Sequence, residues 1–122
     1  MLDTKTSARM TKIRKELLQG TLDLLVLKTL ATGSLHGWDM AKRIAVVSKD
    51  RLQLKQGSLY PALHRLEKRG WIQAEWGVSE AGRRAKFYRL TPKGKKQLAD
   101  EKDHWESFAS AMANVLNMEE SS

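Results

Sequence analysis

From Lys15 to Thr32 the apolar residues Leu17, Leu18, Leu22, Leu25, Val26 and Leu30 recur at steps of three and four, with Thr29 in the same row. That period predicts a helix. Leu24 and Leu27 widen the stripe, so the helix has to be covered on more than one side. Gly20 interrupts it at a cost of roughly 1 kcal/mol relative to Ala, which implies a close approach by another element. The alternative is a helix that starts at Thr21, with Thr21 as its cap. Gly33 ends the run. Leu35 to Trp38 reads as a turn, and a second helix is expected over about 37–47. Its inward side would be Trp38, Met40, Ala41, Ile44 and Ala45, with Lys42 and Arg43 outward. After the polar connector Lys49-Asp50-Arg51, Leu52-Gln53-Leu54 alternates like a very short strand.

The stretch from Gln56 to Gly70 has two contrasting faces. Leu59, Ala62, Leu63 and Leu66 form one apolar stripe, while Tyr60, His64, Arg65 and Lys68 are long, hydrogen-bonding and mostly cationic. Ser58 is the expected N-cap, Pro61 falls in the first turn, and Gly70 follows the C-terminus, where Lys68 and Arg69 suit the negative end of the helix dipole. A short helix of this kind suits insertion into a DNA groove. Two short helices in succession, the second one basic, make a helix-turn-helix pattern. Trp71 to Trp76 then reads as a strand, Gly77 to Gly82 as a turn, and Phe87 to Leu90 as the returning strand. Arg83, Arg84 and Lys86 make this hairpin a basic wing.

Thr91 and Pro92 open the last predicted helix, which can run to about Asn117. Roughly 25 residues give a rod of about 37 Å, too long to lie wholly against so small a domain. Leu98, Trp105, Phe108, Met112 and Val115 form a heptad-like seam along it. One chain offers no obvious cover for that seam, and dimerisation is the economical solution. The expected fold class is therefore mainly α with a small β-hairpin (α+β). A basic N-terminal arm (1–14) precedes a winged helix-turn-helix domain (15–91), a C-terminal dimerisation helix (92–117) and a short tail (118–122).

Charge sharpens this picture. The 122 residues carry a net +8, but residues 36–98 alone hold fifteen Lys and Arg against five Asp and Glu, whereas 99–122 hold one against six. The positive charge is packed around the two-faced helix, as in a polyanion-binding body with a separate acidic element. With no cysteine, disulfides and thiolate metal sites are excluded. His36, His64 and His104 stand far apart, so no metal or cofactor is expected. The longest apolar run, Leu24 to Leu27, is far too short for a bilayer, and no apolar segment follows the basic N-terminus, so a cytoplasmic protein without membrane contact is expected. There is no phosphate loop, no paired carboxylates in an apolar frame and no serine or cysteine nucleophile pattern, which argues against an enzyme.

Four segments stand out by their order and spacing: Leu18-Gln-Gly-Thr-Leu-Asp-Leu-Leu-Val-Leu, His36-Gly-Trp, Gly57-Ser-Leu-Tyr-Pro-Ala-Leu-His-Arg-Leu-Glu, and Arg83-Arg-Ala-Lys-Phe-Tyr-Arg-Leu-Thr with Gly94 beyond. In these the chain resembles the PadR family of bacterial transcriptional regulators. The single last helix resembles the short-tailed branch. The resemblance implies a homodimeric winged-helix repressor whose last helix packs on the partner's last and first helices. The dimer interface would then comprise Leu18, Leu22, Leu98, Trp105, Phe108, Met112 and Val115. Two recognition helices about 34 Å apart would favour a pseudo-palindromic double-stranded operator. Gln56, Ser58, Tyr60 and His64 are expected at base edges or nearby phosphates, Lys55, Arg65 and Lys68 at the backbone, with Arg65 also suited to a guanine, and Arg83, Arg84 and Lys86 at phosphates. Tyr60 suits packing against the wing equally well. In some short-tailed relatives a tryptophan at the place of Trp105 stacks on a small aromatic effector; the plainer role is in the dimer seam. The competing function is a winged-helix architectural or protein-interaction module without sequence-specific DNA reading.

Overall fold

Eleven of the residues most thoroughly removed from water belong to one apolar cluster, and their spacing explains the architecture. The computed structural model describes residues 20–120. The N-terminal arm, the first five residues of the first expected helix (Leu18 among them) and the last two residues lie outside that range.

Helix α1 runs through residues 20–30 and buries Leu22, Val26, Leu27 and Leu30. Thr29 sits among them with its hydroxyl donating to the Leu25 carbonyl at 2.7 Å, which satisfies a polar group that burial would otherwise penalise. Among the described residues no other element comes within 4 Å of where a Cβ on Gly20 would lie, so the close approach expected there is not made by them. Helix α2 (Gly37–Val47) buries Met40 and Ile44. Trp38, expected inward, stands 63 % exposed, because it lies two positions from Met40 and so on another face of the helix. Lys49 and Asp50, both at positive φ, close α2 and turn the chain toward helix α3 (Gln56–Lys68).

Helix α3 contributes Leu59, Ala62, Leu63 and Leu66, all buried, as their spacing predicts. Its start differs from the expected one. Lys55, not Ser58, is the N-cap residue, and no side chain caps the helix. Leu59 already donates its N–H to the Lys55 carbonyl at 3.0 Å, so Ser58 lies inside the first turn and Pro61 inside the second. The missing proline donor leaves only the Gly57 carbonyl unpaired by the helix, and Gly57 is exposed to water. Gly70, at φ +78°, ends the segment as expected.

The sheet has three strands rather than the two of a bare hairpin. Strands β2 (Ile72–Val78) and β3 (Arg84–Leu90) pair antiparallel, and a two-residue strand β1 (Leu35–His36) adds to the other edge of β3 in the order β1-β3-β2. The turn expected at Leu35–His36 is thus this strand, while Leu52–Leu54 forms none. β3 is the central strand, paired on both sides, by β1 and by β2. Ile72 and Tyr88 close the core from the sheet side.

Helix α4 (Pro92–Leu116) starts as expected: the Thr91 hydroxyl accepts from the Gly94 N–H at 3.0 Å and Pro92 occupies the first turn. Gly94 is buried so tightly that a Cβ there would run into the Trp71 carbonyl oxygen and meet Leu90 Cδ1 at 2.8 Å. This close approach docks the base of α4 against the start of the wing.

Candidate nucleic-acid interface

With its leucines turned inward, α3 presents Gln56, Tyr60, His64 and Lys68 at four-residue steps, a single exposed row. Lys55, Ser58 and Arg69 are exposed as well. Tyr60 is half-exposed at 46 % and packs against the start of α2: a methyl group on Gly37 would meet its hydroxyl oxygen at 3.0 Å. One edge of the ring is therefore structural and the other faces solvent.

Arg65 is turned aside from this row. Its Nη2 donates to Asp23 Oδ1 at 2.7 Å, and both side chains are partly buried between α1 and α3. Burial lifts the Asp23 carboxyl above the usual carboxylate range, an effect that the Arg65 hydrogen bond opposes without cancelling. Arg65 thus ties α3 to α1 across 42 residues of sequence. Asp23, the residue that holds it, bears no motif that would single it out.

The wing carries the other cations. Its connecting loop spans Ser79 to Arg83, where Ser79 N–H donates to the Arg83 carbonyl at 2.8 Å and the Ser79 hydroxyl accepts from Arg83 N–H. Arg83 and Arg84 are exposed. Lys86 reaches Glu67 of α3 at 3.5 Å, and this ion pair puts the cationic side of the wing beside the C-terminal turn of α3. The Arg84 guanidinium lies over the Trp76 ring, 4.7 Å from its centroid. Trp76 is an exposed aromatic to which the sequence assigned no role beyond membership of this strand.

The chain matches the family model described as the transcriptional regulator PadR-like family over residues 26–100. It belongs to the PadR-like family. Relatives in this family agree in length as well as fold: the chain is 30 % identical over 95 residues to a transcriptional regulator of Mycobacterium tuberculosis, a match covering 78 % of this chain and 85 % of that one. Among solved structures it is similar to a transcriptional regulator from Clostridium thermocellum (29 % identity, TM-score 0.74, 81 % and 96 % of the two chains). It is also similar to a PadR family regulator from Clostridium difficile (31 % identity, TM-score 0.68, 79 % and 98 %). As a PadR-family protein the chain is a transcriptional regulator that works through DNA, and not an enzyme. Among the described residues no group of three or more His, Asp or Glu is placed to hold a metal ion, and no helix is long and apolar enough to cross a membrane.

The residues expected at a dimer interface fall into two sets. Leu22 is buried in this chain's own core and Leu98 is half-buried against it. Trp105, Phe108, Met112 and Val115 line the outer part of α4 outside the core cluster of the described residues, Trp105 standing 47 % exposed.

Proposed function

We propose that the chain is a homodimeric repressor that reads a pseudo-palindromic duplex operator, with α3 in the major groove and the wing on the flanking phosphates. The observation that carries this reading is the alignment of two cationic elements by the Lys86–Glu67 ion pair. It sets the wing, which carries the exposed Arg83 and Arg84, beside the C-terminal turn of α3. In this arrangement Gln56, Tyr60 and His64 reach base edges, with Ser58 near the uncapped start of α3. Lys55, Lys68, Arg83 and Arg84 neutralise phosphate, and the uncapped N-terminal turn of α3 suits a further one. Arg65 serves the reading indirectly by fixing the pose of α3, and Lys86 by fixing the wing.

The outer stripe of α4 supports the dimer. Half-exposed Trp105, Phe108 and Met112 at heptad-like steps want the same stripe of a second copy. The rings of Trp105 and Phe108 lie 6.1 Å apart, so this seam also offers an aromatic surface to a flat small-molecule effector. Fluorescence of Trp105, with the other three tryptophans replaced by phenylalanine, tests that second role; no quenching by planar cationic or phenolic compounds would remove it. Acting on DNA, such a repressor works in the cytoplasm.

A mobility-shift assay at physiological salt tests the main reading, using the gene's own upstream region against a scrambled duplex of the same length. Preference for the upstream region is expected. Equal binding would leave an architectural or protein-interaction module in place of a sequence-reading repressor.

A further inference from the structure

Register explains why the wing carries an aromatic in water. Ile72 pairs with Leu90, Ala74 with Tyr88, Trp76 with Lys86 and Val78 with Arg84, so all eight side chains belong to one face of the hairpin. The first two pairs lie over the core: Ile72 and Tyr88 are buried, and Ala74 and Leu90 pack against them. The last two pairs run beyond it. Trp76 is left 58 % exposed and Val78 71 % exposed, on the side where Lys86 meets Glu67 of α3. An apolar plate of this size standing in solvent marks an interaction surface.

The chemistry around it indicates the partner. Arg84 stacks on the indole, which fixes the guanidinium plane while leaving its N–H groups directed outward along their edges. Lys86 is different, because Glu67 already holds it. Arg83 and Arg84 are exposed at the tip, and Lys68 and Arg69 are exposed at the neighbouring end of α3. A flat apolar surface with an oriented cation on top, set in a cationic rim, matches a nucleic-acid backbone strand, in which apolar sugar faces alternate with phosphates.

We propose that Trp76, with Val78, packs on the deoxyribose of the strand bordering the groove that α3 enters, while the stacked Arg84 takes the adjoining phosphate. The proposal rests on the reading of α3 and the wing as a duplex-binding surface. Trp76 then supplies a salt-independent part of the affinity and Arg84 a salt-dependent part.

Salt titrations of the full-length protein on its own upstream duplex test this, with Trp76→Ala, Trp76→Phe, Arg84→Ala and the Trp76→Ala/Arg84→Ala double variant. Trp76→Ala should weaken binding by about tenfold with an unchanged slope of log affinity against log salt, and Trp76→Phe should recover most of the loss. Arg84→Ala should flatten the slope by about one unit, and the double variant should show both losses. A double variant no weaker than Arg84→Ala alone would make Trp76 only a prop for the arginine and overturn the proposal. Wild-type affinity in Trp76→Ala would overturn it as well. Lys68→Ala and Arg83→Ala separate this from failure of the underlying reading. If they weaken binding while Trp76→Ala does not, only the role of Trp76 falls; if none of the variants weakens it, both fall. Acrylamide quenching of a chain retaining Trp76 alone gives a second readout on folded protein. The duplex should shield the indole, and unchanged quenching would count against the contact.

Discussion

Leu59, Leu63 and Leu66 on α3 and Trp105, Phe108 and Met112 on α4 obey the same helical arithmetic, yet the first three are closed off from water and the last three stand about half exposed. Periodicity specifies a face, not what covers it. The face of α3 is met by α1, α2 and the sheet of its own chain. That of α4 outruns them: the helix is anchored at Gly94, Leu98 is its last residue to pack on the core, and each further residue carries it 1.5 Å away. The body of the molecule is therefore a finished core, whereas the outer half of α4 keeps an apolar stripe about half exposed, the stripe that the proposed dimer would cover.

This contrast can be broken most sharply in the body. Leu66→Ala should cost about 2–5 kcal/mol of stability in urea unfolding, because its surroundings are packed on all sides. A cost below about 1 kcal/mol would mean that the core collapses around the gap. In the outer half, Phe108→Glu with Met112→Glu should yield a folded monomer by sedimentation and weaken operator binding by about a hundredfold, since one half-site is lost. A variant that remains dimeric would assign the stripe another task. On the wing, Arg83→Ala and Arg84→Ala should each flatten the salt slope of DNA binding by about one unit. An unchanged slope would take the wing out of the interface.

The smallest effect concerns Asp23. Its carboxyl is raised above the ordinary aspartate value of 3.8, so between 3.8 and the raised value the folded chain binds more protons than the unfolded one. Asp23 therefore makes stability fall as pH rises through that window. Asp23→Asn removes the dependence, and the advantage of wild type over the variant should shrink with rising pH there. An advantage that grows instead would mean that the Arg65 bond outweighs burial.

Much of the architecture was legible in the chain itself. The α2 bounds, the leucine stripe of α3, the hairpin and the Thr91–Pro92 opening of α4 follow from period, turn chemistry and capping, all of which are local. What escaped depends on distant partners. Strand β1 exists only because β3 offers an edge, and the alternation at Leu52–Leu54 yields no strand because three residues of alternation do not by themselves supply a pairing partner. Ser58 has the right chemistry for a cap, but the helix begins three residues earlier at Lys55, where the backbone alone closes the first turn. The cationic row of α3 was likewise readable, except that Arg65 is drawn off it by an aspartate in α1. Trp76 and Val78 share the parity of Ile72 and Ala74, and sequence alone does not say where along the strand the core ends.

Thr91 has a mechanical meaning beyond capping. Its hydroxyl donates to the Gly70 carbonyl at 2.7 Å, with the Trp71 carbonyl at 3.0 Å, and its N–H donates to the latter at 3.1 Å. The loop after α3, the end of the wing and the base of a rod of about 37 Å are thus pinned at one residue. With that leverage, a tilt of about 10° at the pin sweeps the far end of the rod by about 6 Å.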